Sequence, residues 1–161
     1  LAVATYHVPI TSGTSYSIGV RGDIVVGYGF NPYLKVDARG SVGLGTQFSG
    51  MQHPFFADAA LGVQTCLPLG PLTPGLHVEL SYYLREVTLS PTVLFGIGKK
   101  EWLTLGGRMH MHGFLIGWDP VAVDAFACAH LSPRYSVFAG AEIFYITYAP
   151  AITLGVGYHL K

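Results

Sequence analysis

Along residues 15–30 the apolar side chains fall on alternate positions. Tyr16, Ile18, Val20, Ile24, Val26, Tyr28 and Phe30 are even, whereas the small or polar Ser15, Ser17, Gly19, Arg21, Asp23, Gly27 and Gly29 are odd. An extended strand has a side-chain period of two, and a slip of one residue would exchange its faces. The phase runs unbroken through Arg21-Gly22-Asp23. This adhesion-like tripeptide is therefore expected inside a strand, not on a displayed loop.

The pattern recurs. Residues 33–45 set Leu34, Val36, Ala38, Val42 and Leu44 against Lys35, Asp37, Arg39 and Ser41. Residues 55–67 set Phe55, Ala57, Ala59, Leu61, Val63 and Leu67 against Asp58 and Gln64. Residues 76–86 set Leu76, Val78, Leu80, Tyr82 and Leu84 against His77, Glu79, Ser81, Tyr83 and Arg85. Residues 92–98 make a shorter segment. In residues 103–112, Leu103, Leu105, Met109 and Met111 oppose Thr104, Arg108, His110 and His112. In residues 121–131, Val121, Val123, Ala125, Ala127, Ala129 and Leu131 oppose Asp124, Phe126, Cys128 and His130. Residues 135–145 and 151–160 complete the series, with Glu142 and His159 on their polar faces.

Turn residues separate these segments at Asn31-Pro32, Pro68 to Gly75, Ser90-Pro91, Gly98 to Glu101, Trp118 to Pro120, Ser132-Pro133 and Ala149-Pro150. Most segments match the roughly 9–11 residues that a tilted strand needs to cross a bilayer. The opening keeps the same phase, with Ala4, Tyr6, Val8 and Ile10 opposite Thr5 and His7. Single-chain bacterial barrels have an even number of strands. The expected fold is therefore all-β: an antiparallel up-and-down transmembrane β-barrel of ten strands, spanning residues 1–161 as a single domain. Eight strands is the alternative, if the opening is a plug and one weak segment is miscounted.

Composition explains why the barrel is expected in a membrane. Half of the 161 residues are hydrophobic and only 11% are charged, against about 25% in an ordinary soluble domain. The net charge of zero gives no electrostatic ground for a nucleic-acid partner. The longest weakly charged stretch, Tyr135 to His159, contains Gly140, Glu142, Pro150, Gly155 and Gly157 and alternates with period two, so no membrane helix is expected. The opening LAVATYHVP lacks the basic start and long apolar run of a secretory signal, as in a mature chain or one whose signal has been cut away.

Charge placement sets the sidedness. Arg21, Asp23, Lys35, Asp37, Arg39, Asp58, Glu79, Arg85, Arg108, Asp124 and Glu142 all fall on polar strand faces, and the other charged residues fall at strand ends or turns. A soluble barrel turns its apolar face inward. Here the apolar face is too continuous to be one buried core. It is expected to meet lipid, where a midplane Lys or Arg costs about 2–4 kcal/mol, with the charges lining a lumen. Tyr16, Tyr28, Phe30, Phe55, Tyr82, Trp102, Trp118, Tyr135, Tyr145 and Tyr158 lie near the segment ends, where an interfacial aromatic girdle forms.

The final segment, Gly155-Val156-Gly157-Tyr158-His159-Leu160, resembles the C-terminal assembly signal of the small bacterial outer-membrane β-barrels, a glycine followed by alternating hydrophobics. It departs from that pattern in ending on Lys161. The resemblance, which covers the architecture of most of the chain, implies an outer-membrane location and a lipid bilayer around the protein. It names no subfamily and no activity. The expected function is a small channel for ions or small solutes, or a membrane scaffold, with a narrow or plugged lumen. The alternative is a surface interaction protein that binds a macromolecule through its loops or outer wall.

The candidate chemistry is inside. Asp23 is expected opposite or diagonal to Arg39, within pairing reach. His77, His110, His112, His130 and His159 are expected as lumen histidines, hydrogen-bonded and without metal. The one candidate metal set is His110, His112 and Asp124, because two histidines and a carboxylate suit a transition ion. No motif pairs a nucleophile with a base, so no enzyme and no cofactor is expected. Cys66 and Cys128 are expected as free thiols on nearly opposite walls. Ala125, Ala127, Ala129, Ala139 and Ala141 form an outward alanine wall, on which small residues would let a second membrane protein or another copy approach closely.

Overall fold

The structure, a computed structural model, describes residues 2–9, 17–47, 55–83, 86–98, 101–112, 119–144 and 150–158. They form β1 (Ala2–Pro9), β2 (Ser17–Asn31), β3 (Leu34–Gln47), β4 (Phe55–Cys66), β5 (Leu72–Tyr83), β6 (Glu86–Ile97), β7 (Leu103–His112), β8 (Asp119–His130), β9 (Tyr135–Phe144) and β10 (Pro150–Tyr158). Each strand runs antiparallel to its sequence neighbours. The opening strand also pairs with the last, from Ala2 opposite Tyr158 to Pro9 opposite Ala151, so the ladder closes on itself. Closure gives each of the described strands a hydrogen-bonded neighbour on both sides, so none is an edge strand.

The Arg21-Gly22-Asp23 tripeptide lies within β2, paired with Thr5, Ala4 and Val3 on one side and with Gly43, Val42 and Ser41 on the other. Its backbone is spent on two ladders and is not displayed on a loop.

Three turn assignments are corrected. Of the turn expected at Trp118 to Pro120, Asp119 and Pro120 belong to β8, paired with His112 and Met111. Ser90-Pro91 is not a turn but the middle of β6, and the segment expected at 92–98 begins at Glu86. Pro91 pairs with Val78 of β5. On the β7 side the ladder passes from Leu89–Met111 to Thr92–Arg108 without a register shift. A proline has no N–H to give that ladder, but the extended backbone continues through it. The reversal comes earlier: Tyr83 and Glu86 pair, and Arg85, expected on a strand reaching residue 86, lies outside the described residues. The turn expected over Pro68 to Gly75 is also shorter, because β5 starts at Leu72. Leu69 and Leu72 exchange backbone hydrogen bonds of 2.7 and 3.3 Å around Gly70, whose φ of +66° suits a residue without a Cβ.

The two faces are inverted relative to a soluble protein. Val26 is 69% exposed and Leu61 68%, and Ile24, Tyr28, Phe30, Val42, Leu80, Phe95, Ile143 and Leu154 are exposed as well. Among the described residues, the buried hydrophobic side chains are Ala60 and Ala122 alone, whereas Ser41, Glu79, Thr88, Ser90, Thr92, Asp124 and Ser136 are buried. The enclosed face is thus the polar one. Tyr135 and Tyr158, paired across β9 and β10, lie tilted with ring centroids 5.2 Å apart, and Tyr28 meets Phe30 edge to face at 5.1 Å.

Candidate functional site

Two clusters occupy the inner face. The first spans β2 to β5 and depends on what β4 leaves out. On its inner face β4 carries Ala60 and Gly62, paired to Arg39 and Asp37 of β3 on one side and to Ser81 and Glu79 of β5 on the other. With so little side chain between them, β3 and β5 bond directly across β4. Arg39 Nε donates to Glu79 Oε2 at 3.1 Å and Nη2 to Oε1 at 2.8 Å, a two-pronged pair. Its Nη1 lies 3.6 Å from Asp23 and 3.5 Å from Asp58, and donates to Ser41 Oγ at 3.0 Å. One guanidinium therefore faces three carboxylates. Asp23 is diagonal to Arg39 in the β2–β3 ladder, since Val25 is the residue directly opposite Arg39. Over Gly62, Asp37 and His77 approach to 3.3 Å, and Lys35 Nζ lies 3.9 Å from Asp37. A Cβ at Gly62 would collide with both His77 and Asp37.

The second cluster spans β6 to β9. Arg108, Asp124 and Glu142 stand in one cross-strand row, as Arg108 pairs with Asp124 and Asp124 with Glu142. Arg108 Nε donates to Asp124 Oδ2 at 2.9 Å. His110 Nε2 lies 3.1 Å from the same oxygen and 3.8 Å from Glu142 Oε1, while its Nδ1 lies 3.0 Å from Ser90 Oγ. The Arg108 guanidinium also sits 5.8 Å from the Phe126 ring centre. That ring packs on Gly106, where any Cβ would strike it.

The other expected positions divide as follows. His130 lies 3.1 Å from Thr104 Oγ1. Arg21 occupies the register position opposite Gly43, but its side chain and that of His112 are outside the described residues, as is His159. Cys66 and Cys128 are free thiols on β4 and β8. Ala125 pairs with Ala141 and Ala127 with Ala139, while Ala129 faces Val137. This sets the five expected alanines together on two strands, and Ala125, Ala139 and Ala141 are exposed. Three participants were missed or not brought together by the sequence reading. Ser90 belongs to a strand and not to a turn, as the alternation of Thr88, Ser90 and Thr92 with Val87, Leu89 and Val93 shows. Glu142 was placed on the inner face but not beside Asp124, since only the register of β9 on β8 brings them together. Glu101 is a third: at φ 47° it turns its side chain over Gly96 at one mouth of the ring.

An up-and-down antiparallel ring with an apolar outer face and a polar interior is the fold of the bacterial outer-membrane β-barrels. Among solved structures the chain is similar to the KdgM porin, with a TM-score of 0.56 at 12% identity over 99% of both chains. It is similar to the KdgM porin in complex with disordered oligogalacturonate, with a TM-score of 0.56 at 11% identity over 99% of both chains. The NanC porin follows, with a TM-score of 0.50 at 9% identity over 99% of this chain and 100% of that one. At such identities the likeness is one of fold. No protein-family model and no curated protein matches the sequence.

Proposed function

We propose that the chain is an integral outer-membrane barrel of ten strands whose interior is a narrow, water-filled channel for small ions and small polar solutes. One observation carries this reading: the enclosed face is polar, and its large side chains lie along the wall. The ion pairs and hydrogen bonds of the two clusters join strands no more than two apart. Glycines at 62 and 106 provide the recesses in which His77 and Phe126 rest. An eight-stranded barrel is just filled by its side chains. Ten strands enclose more, and buried inner-face glycines such as Gly43, Gly96, Gly155 and Gly157 fill less of it. The porin fold of KdgM supports the same reading. By analogy with bacterial barrels, the end bearing the chain termini and the short turns faces the periplasm.

The wall charge leans only slightly toward cations. The described inner-face charges are Asp23, Asp37, Asp58, Glu79, Asp124 and Glu142 against Lys35, Arg39 and Arg108; Arg21 and Arg85, expected on the same face, bring the balance to six acids and five bases, with Glu101 at the mouth. A polyanion such as the oligogalacturonate found with KdgM would meet no excess of base. The test is recording across a planar bilayer with the refolded protein. Discrete steps with a slight cation preference are expected; a silent bilayer containing correctly folded protein would show that the interior is plugged.

A further inference from the structure

We propose that His110, Asp124 and Glu142 bind a first-row divalent transition-metal ion, of the kind Zn2+ represents, on the inner wall of β7, β8 and β9. The proposal is independent of whether the barrel conducts.

Four observations converge. The ligand atoms are already close: one atom from each residue lies within 4.8 Å of the other two, with His110 Nε2 at 3.1 Å from Asp124 Oδ2 and 3.8 Å from Glu142 Oε1. Ligands at 2.0–2.2 Å from a tetrahedral ion stand about 3.4 Å apart, so small side-chain adjustments would complete the site. Next, Asp124 Oδ1 is buried with no hydrogen-bond partner among the described residues, in a residue that is 8% exposed. Its other oxygen accepts from Arg108, which fixes the carboxylate beside His110 and Glu142 and leaves it with unused acceptor capacity for an ion. A buried acceptor without a partner is costly, and a cation removes that cost.

The third observation is the outer support of the histidine. Ser90 Oγ lies 3.0 Å from His110 Nδ1 and can accept its proton, which leaves the Nε2 lone pair directed at the carboxylates. The fourth is the register. Asp124 and Glu142 are directly opposite on neighbouring strands, an unfavourable arrangement for like charges. Arg108 and a shared divalent ion together offset it. One imidazole and two carboxylates suit Zn2+, Mn2+ or Fe2+ more than a soft ion. The sequence-based candidate set had His112 in place of Glu142.

The probe is ZnCl2 titrated calorimetrically into the refolded, detergent-solubilised protein, with CoCl2 absorption as a second readout. One ion per chain is expected, with the visible bands of a four-coordinate Co2+ complex. His110→Ala and Glu142→Gln should each abolish or strongly weaken binding. Ser90→Ala should weaken it by about 10-fold, and His130→Ala, which removes an inner-face histidine away from the site, should leave it unchanged. Folding of each variant is checked by strand circular dichroism, and either ligand variant alone suffices if the other does not fold. Absence of a stoichiometric ion on folded wild-type protein, or Zn2+ binding that survives both ligand substitutions, would overturn the proposal.

Discussion

Arg39 shows how a charged residue is accommodated inside this ring. Its guanidinium is clamped by both oxygens of Glu79 and faces Asp23 and Asp58, with its side chain 15% exposed and that of Glu79 8% exposed. Three carboxylates so close together repel one another unless a cation stands between them, and Arg offers a planar fork that Lys does not. Arg39→Met removes the cation and leaves the acids facing one another. It should cost about 3 kcal/mol of folding stability, read from urea unfolding of the protein refolded in lipid vesicles. Arg39→Lys keeps the charge but loses the two-pronged geometry and should lie between the two. Equal stability of wild type and Arg39→Met would mean that the cluster is solvated and carries little energy.

At the scale of the strand, small residues on one strand let the flanking strands meet, and recesses hold large rings against the wall. Gly106→Leu would displace the Phe126 ring, which packs where the new Cβ must go. The ring can only move toward the axis, so the expected result is a smaller single-channel conductance with the fold retained; an unchanged conductance would place Phe126 away from the ion path. Alternation in the sequence was enough to identify these strands, because the period-two pattern of residues 17–47 and 121–144 survives every local irregularity. It failed at Pro91, where a residue that ends most strands sits in one whose missing N–H interrupts only the β7 ladder. The pairing of Asp23 with Arg39 could be anticipated from a single two-residue hairpin. The meeting of Glu142 with His110 could not, because it depends on the β7–β8 register shift between His110 and Met111 and then on the register of β9. Inner-face composition was legible in sequence; contacts across two strands were not.

For the whole molecule, the distribution of charge determines what the interior prefers. Six inner-face acids stand against five bases once Arg21 and Arg85, expected on the same face, are counted, and Glu101 adds one acid at the mouth, so the reversal potential in a salt gradient should indicate a slight cation preference. Glu79→Gln together with Asp58→Asn should shift it toward the anion side, and a wild-type channel selective for anions would contradict the charge reading. All of these expectations rest on which face meets lipid. The direct measurement is nitroxide accessibility in bilayers, on a Cys-free background with single labels at Leu61 and Gln64, neighbours in β4 on opposite faces. The Leu61 label should relax with lipid-dissolved oxygen and be shielded from a water-soluble nickel chelate, and the Gln64 label should do the reverse. A Leu61 label open to the chelate, with the Gln64 label reached only by oxygen, would mean that the strands present their apolar side to water, contrary to the inverted barrel described here.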